Sequence, residues 1–428
     1  MKIKTTLNNG IALITHQLKG THSVTISISF KTGSLYENST NNGISHLVEH
    51  LFFRKWDNLT QSELYFEMMK LGAEILGKTY NDYVCFSITV VPEFFTSAFN
   101  LISKCLNRFY WNESDVLLEK KVVCNQIETH YQSYREWQDY NYFKNTKYEM
   151  PIMGTIDSVN KLILKDINEW KDKFFCCNNS CVTITGNYNE KDLISAKQKL
   201  LEITNYGKVS ESVVCLPNHF NKRNSTNRYN IIYNDSDFTD VSIFYDISLK
   251  YDYETVRLLC AILGEGCGSV LSVVLRETKG FVDDIYTDLI CFSGFYRLSI
   301  SFTVKNINFL KCMKYFFEII SKFKTHIYEK EYSKSIVFFT RNQTMDFDSP
   351  TTLNNRYALC DFILKSVLSE PIEIKEKYKQ ISPSNIQMYA YEILTESNIS
   401  FLVQTCINDK LIKSNLEKYL KTRDGSMS

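Results

Sequence analysis

Asn42-Gly43-Ile44-Ser45-His46-Leu47-Val48-Glu49-His50-Leu51-Phe52-Phe53 is the stretch from which the rest of this 428-residue chain is read. The chain has only seven histidines, and two of them, His46 and His50, stand four residues apart here. On a helix turning about 100° per residue, such positions lie about 40° from each other, so both imidazoles can reach one metal ion. Glu49 sits beside His50 and can project toward the same side. This is the H-x-x-E-H arrangement, in which two histidines ligate zinc and the carboxylate acts as general base. A catalytic zinc takes three protein ligands and keeps one position open for water, so a third ligand is expected elsewhere. The bland alternative for the pentapeptide alone is an amphipathic helix with surface histidines.

Length predicts two or three domains. Apolar residues make up 44% of the chain, and only 15 glycines and 6 prolines interrupt it, so sizeable cores are expected and long disordered linkers are not. A net charge of +1 gives no electrostatic footprint for nucleic acid or an anionic membrane. The start, Met1-Lys2-Ile3-Lys4-Thr5-Thr6, has no apolar run behind its lysines, which argues against a secretory signal. No stretch approaches the roughly 18 consecutive apolar residues of a membrane span. Thirteen scattered cysteines read as reduced core thiols in a cytoplasmic protein, not as a disulfide framework.

Alternation places strands on both sides of the histidine motif: Val24, Ile26, Ile28 and Phe30 before it, and Val84, Phe86, Ile88 and Val90 after it. The second half repeats the plan with Val241, Ile243, Tyr245, Ile247 and Leu249, then Leu298, Ile300, Phe302 and Val304. A helix follows each second strand, over 94–105 and 307–323. The polar, Asn-rich residues 217–228 read as a linker. The expectation is an α+β chain of two tandem homologous domains, 1–216 and 229–428. Each would carry a mixed, mostly antiparallel sheet covered by helices.

Further segments then join the motif in order. Gly33-Ser34-Leu35-Tyr36-Glu37 precedes it. Glu119-Lys120-Lys121-Val122-Val123, Pro151-Ile152-Met153-Gly154-Thr155, Thr183-Ile184-Thr185-Gly186-Asn187 and Leu275-Arg276-Glu277-Thr278-Lys279-Gly280-Phe281 follow. Together they resemble the insulinase, pitrilysin and mitochondrial-processing-peptidase family, in its half-length, bacterial-type form. The resemblance implies a processing-peptidase-like fold, Zn2+ as cofactor, a peptide substrate, and His46 and His50 as ligands with Glu49 as base. It places the third ligand at Gln126 and a substrate-binding arginine at Arg276. It also implies pairing with a homologous subunit, as a heterodimer or a homodimer, to enclose a chamber.

Three positions depart from the family pattern. The third zinc ligand is a glutamate in the family and Gln126 here, so a neutral carbonyl oxygen replaces a charge. Gln126 can bind zinc weakly, Glu119 or His130 on the same helical face can substitute, or the site can be empty. The family follows its arginine seven residues later with a tyrosine; here that position is Asp283, with Tyr286 three residues beyond. The family's Asn-Ala-x-Thr-like edge reads Leu76-Gly77-Lys78-Thr79, matching only at the threonine. A peptide can still pair with that strand through backbone hydrogen bonds.

Other signals read as structural. Gly264-Glu265-Gly266-Cys267-Gly268-Ser269 misses the spacing of a nucleotide loop. Cys176, Cys177 and Cys181 read as core thiols, and the tyrosine-rich residues 130–148 as a partly exposed helical face. The expected function is a zinc-dependent endopeptidase acting on a peptide or peptide precursor as one subunit of a two-chain chamber. The alternative is an inactive family subunit with a binding or structural role.

Overall fold

The computed structural model describes residues 2–130, 143, 147–207, 228–292, 294–326, 329–364 and 371–421. The chain forms two compact units. The first comprises Met1–Cys215 together with Thr344–Glu370, and the second Leu216–Gln343 together with Pro371–Ser428. Most of the expected linker lies outside the described residues, as do most of residues 130–148.

Each unit carries its own mixed sheet. In the first, β1 (Lys2–Thr6), β2 (Ala12–Gln17), β3 (Val24–Phe30), β6 (Leu76–Thr79), β7 (Val84–Val90) and β8 (Ser180–Gly186) lie in the order β1-β2-β8-β3-β7-β6. The short hairpin β4 (Lys55–Trp56) and β5 (Leu59–Thr60) stands apart from this sheet. Only β2 and β8 pair parallel; the other pairs of the sheet are antiparallel. In the second unit, β9 (Tyr229–Tyr233), β10 (Phe238–Ser248), β11 (Tyr286–Phe292), β12 (Phe295–Lys305) and β13 (Ile399–Thr405) lie in the order β11-β12-β10-β13-β9. Again one pair, β13 with β9, is parallel. Both sheets are thus mixed and mostly antiparallel.

Among the described residues the first four α-helices are α1 (Ile44–Arg54), α2 (Gln61–Leu71), α3 (Phe95–Ile102) and α4 (Glu113–His130). The apolar side of α1 carries Ile44, Leu47, Val48, Leu51 and Phe52, all buried in the core beside Ile26, Ile28 and Phe86. Burying each such side chain contributes about 1.5–3 kcal/mol. That anchorage leaves His46, Glu49 and His50 on the remaining face of α1, toward α4 and β6.

The alternation in β3 correctly marks its two faces, but neither meets water. Thr25, Ser27 and Ser29 are as fully buried as Ile26 and Ile28. They stand opposite Thr89, Ser87 and Cys85 on β7, and opposite Thr185, Thr183 and Cys181 on β8. A helix from late in the sequence, Pro350–Tyr357, covers this hydroxyl-lined face. Its Thr351 hydroxyl lies 3.1 Å from that of Thr25. Asn354 donates to the carbonyls of Thr25 (3.0 Å) and Thr183 (2.9 Å) and accepts from the Ser27 hydroxyl. The Tyr357 hydroxyl meets His16 Nδ1 at 2.6 Å.

Behind α1 lies a buried cation. Lys171, on the helix Leu164–Phe174, has no exposed surface. Its ammonium sits 4.2 Å from the centroid of Phe109, 5.7 Å from that of Trp111 and 6.0 Å from that of Phe52. The Asn107 carbonyl, at 3.5 Å, is its hydrogen-bond acceptor. Burial lowers its pKa from 10.5 to about 8, against the pull of Asp172. Ring faces offset part of the desolvation penalty.

Two outcomes follow from these buried polar groups. Asn354→Leu leaves the Ser27 hydroxyl without its acceptor and should cost about 1–3 kcal/mol in urea unfolding; a change within about 0.5 kcal/mol, typical of surface positions, would show that the helix is not held this way. For Lys171, the unfolded chain keeps its proton up to pH 10.5 and the folded chain only to about 8. The unfolded state therefore binds more protons across that window, so the penalty is complete below it and gone above it. Lys171→Met should be more stable than the parent by at most about 3 kcal/mol near neutrality, with the difference vanishing as pH rises toward 10.5. A difference independent of pH would contradict this account.

Candidate metal centre

The N-terminus of α1 is held by a carboxylate from outside the helix. Gly43, its N-cap, has no side chain to offer. Glu37 supplies the missing acceptor: Oε2 accepts from Gly43 N (2.7 Å) and Asn42 Nδ2 (3.0 Å), and Oε1 accepts from Ser45 N (2.9 Å). These are the donors a helix start leaves unpaired, and a negative charge suits that end of the dipole. Burial pushes the Glu37 carboxyl up, and the Ser45, Gly43 and Asn42 donors only partly oppose it. Asn42 also donates to the Pro151 carbonyl at 3.0 Å, which brings the Pro151-Ile152-Met153-Gly154 turn against the helix start. There Gly43 and Gly154 both have positive φ, and a Cβ on Gly43 would lie 2.6 Å from the Met153 carbonyl oxygen. No side chain fits between them.

Within this frame the four motif-derived residues come together. The ligand atoms of His46, Glu49 and His50 all lie within 4.8 Å of one another. From α4, Gln126 Oε1 reaches His46 Nε2 at 3.0 Å. His46 Nδ1 lies 3.5 Å from Glu49 Oε2 and is buried without a hydrogen-bond partner. Ligand atoms on one tetrahedral zinc stand about 3.3 Å apart, given bonds near 2.0–2.1 Å. Two imidazoles and an amide oxygen, with a carboxylate beside them, suit zinc in kind, and the 3.0 Å from Gln126 Oε1 to His46 Nε2 is near that spacing. Burial lowers the His46 pKa, but the Glu49 carboxylate, Gln126 and Glu37 more than offset it, and the net direction is upward.

Glu49 is seated on β6. Thr79 Oγ1 donates to Glu49 Oε2 at 3.3 Å. Two residues back on the strand, a Cβ on Gly77 would fall 2.1 Å from Glu49 Oε1. Glycine is thus required for the carboxylate to lie where it does. An isolated glycine inside a strand signals such a close approach, and this was the available clue to its role.

Glu119 is committed elsewhere than to the centre of the cluster. Its Oε1 lies 2.9 Å from His50 Nδ1, and its Oε2 accepts from Arg54 Nε. Burial raises its pKa, yet the contacts with His50 and Arg54 outweigh burial and lower it. It thus stands behind His50, in the place of an orienting carboxylate. The side chain of His130 lies outside the described residues. Arg276 belongs to the second unit, on the π-helical turn Ser272–Thr278, with Nη1 2.9 Å from Glu277 Oε1. Tyr286 opens β11 and is largely exposed. Three residues that shape the centre, Glu37, Gly77 and Arg54, are ones to which sequence reasoning assigned no role.

The chain is similar to known proteins in both sequence and fold. Residues 12–156 match the family described as insulinase (peptidase family M16), and residues 161–336 match the peptidase M16 inactive domain. An uncharacterized zinc protease of Rickettsia felis is 25% identical over 283 residues, covering 64% of this chain and 66% of that protein. The zinc protease PqqE of Helicobacter pylori is 22% identical, covering 66% and 65%. The mitochondrial-processing peptidase subunit beta of Saccharomyces cerevisiae is 23% identical, covering 45% and 43%. The chain thus spans just under two thirds of the length of the first two relatives and less than half of the third. Among solved structures, a protease from Helicobacter pylori shares the fold with a TM-score of 0.82 at 18% identity, over 95% of this chain and 99% of that one. The periplasmic protease PqqL from Escherichia coli does so at 0.80 and 14% identity, over 99% of this chain and 50% of that one. The chain belongs to the insulinase family of peptidases, M16, and its two successive segments match the two domains of that family.

Proposed function

We propose that this chain is a zinc-dependent endopeptidase subunit that cleaves a peptide or peptide precursor. One observation carries the reading: His46, Glu49 and His50 converge within 4.8 Å, with Gln126 Oε1 3.0 Å from His46 Nε2. His46, His50 and Gln126 would hold the ion, with His50 ligating through Nε2 because its Nδ1 faces Glu119. Zinc, when bound, supplies Lewis acidity to the scissile carbonyl and to the attacking water. Glu49 takes the proton of that water on its carboxylate and delivers it to the leaving amine. Thr79 and the gap at Gly77 hold the carboxylate in place for this transfer. The edge strand β6 offers backbone groups to an extended peptide beside Glu49.

Relatives named mitochondrial-processing peptidase subunit beta, and a solved structure of the first half of PqqL, favour a paired assembly, with a homologous partner contributing the groups that hold the substrate backbone. Asp283 in place of the family's tyrosine favours the partner over Arg276 of this chain for that task. The cysteines among the described residues are free thiols, and among those residues no helix is long and apolar enough to cross a membrane; the thiols favour the cytoplasm. The second reading, an inactive subunit, is favoured by Gln126 alone, since a neutral ligand weakens the hold on a dication.

Zinc content decides between the two. The purified protein should carry one zinc per chain, and Gln126→Glu should tighten zinc by at least roughly tenfold, the lower end of what even outer-shell changes cost. Glu49→Gln should keep the zinc and lower kcat on an unstructured peptide by roughly 10²–10⁴-fold. No zinc at micromolar concentrations would support the inactive subunit, and undiminished hydrolysis by Glu49→Gln would assign the base elsewhere.

A further inference from the structure

Arg54 is the last residue of α1 and stands four residues after His50, one turn further along the same face. Its hydrogen bonds run to Glu119 and Gln61. Its Nε donates to Glu119 Oε2, while Glu119 Oε1 faces His50 Nδ1 at 2.9 Å. Each carboxylate oxygen therefore has one partner, and both partners sit on α1. The Arg54 side chain is 20% exposed and that of Glu119 6%, so little water competes for either. Arg54 is itself held: Nη1 donates to Gln61 Oε1 at 3.0 Å, and Gln61 Nε2 donates to the Tyr65 hydroxyl at 2.9 Å. A hydrogen-bonded line thus runs from His50 through Glu119 and Arg54 to the first turns of α2.

We infer that Arg54 is a positioning residue for the metal centre: by occupying Glu119 Oε2 it commits Oε1 to His50 Nδ1. The inference rests on the metal-site reading above. A carboxylate that accepts at Oε1 makes Nδ1 the protonated ring nitrogen of His50, so Nε2 keeps the lone pair that can ligate. Without Arg54, nothing ties the second oxygen of Glu119, and the carboxylate is free to rotate away from His50. A guanidinium suits this task because its Nε–H and Nη–H directions are fixed in one plane, so Glu119 and Gln61 are held together.

The test starts with metal-free protein labelled with 15N-histidine, at a pH where the ring is neutral, with the His50 signals assigned by difference against His50→Gln. The parent should show the Nδ1–H tautomer. Arg54→Met should shift His50 toward a mixture of tautomers and weaken zinc, measured by chelator competition, by roughly 10–100-fold. Arg54→Lys should lie between the two. In a Glu119→Gln background, Arg54→Met should change neither readout further. Unchanged His50 nitrogens together with zinc affinity within about twofold of the parent would overturn the inference, as would tighter zinc in Arg54→Met. Should Arg54→Met fail to fold, Arg54→Lys against the parent carries the same comparison. A parent that binds no zinc but loses the single His50 tautomer on substitution would refute the metal-site reading and still uphold the role of Arg54.

Discussion

The first turn of α1 depends on a single buried carboxylate. A helix that begins on glycine has no side chain of its own to pair its leading N–H groups, and here Glu37 closes that gap from outside the helix. Because the same carboxylate also holds Asn42, and Asn42 holds the Pro151 carbonyl, the start of α1 is tied at once to the loop before it and to a turn more than a hundred residues later. The helix start is pinned by these bonds, and its rotation about its axis is fixed by five buried apolar side chains. His46, Glu49 and His50 then have one direction left in which to point.

What they meet there is built by other elements under their own constraints. Gln126 and Glu119 lie seven residues apart on α4, nearly two turns, so both face α1 while Val123 and Ile127 on the neighbouring stripe enter the core. Strand β6 approaches closely enough for Glu49 to rest on it only because residue 77 has no side chain. The centre thus combines a rigid apolar footing with polar groups whose fully buried side-chain atoms are paired, His46 Nδ1 excepted. Low dielectric makes such paired groups specific in geometry and costly to disturb.

The same economy recurs on the far side of the sheet. A face of Thr and Ser hydroxyls would be ordinary against water, yet it is sealed by the helix Pro350–Tyr357, whose Asn354 satisfies two strand carbonyls and one hydroxyl. Period-two alternation distinguishes the two faces of a strand but says nothing about what covers the polar one. That is why β3 and β7 were legible at their observed limits, Val24–Phe30 and Val84–Val90, while the place of residues 344–370 in the first unit was not. Lys171 escaped notice for a similar reason. A lysine in a helix reads as solvated, and only three aromatic rings from distant positions make it a buried cation.

By itself, the sequence determined the α+β class, the two repeats of mixed sheet and the histidine motif, because spacing along a helix and alternation along a strand are local periodicities that local geometry suffices to read; the family came from the resemblance of several segments in order. The motif His46-Leu47-Val48-Glu49-His50 was visible in its local spacing, while its distant counterpart Gln126 was placed by the family resemblance of the segment that begins at Glu119. Tertiary structure alone decided how the converging residues are held: Glu37 capping α1, Gly77 making room for Glu49, and Glu119 turned toward His50 and Arg54. The last two depend on the approach of segments remote in sequence, over distances of a few ångströms, and even Glu37 must fold back over six residues to reach Gly43. No one-dimensional period carries that information, because it is set by how helices and strands pack around a shared core.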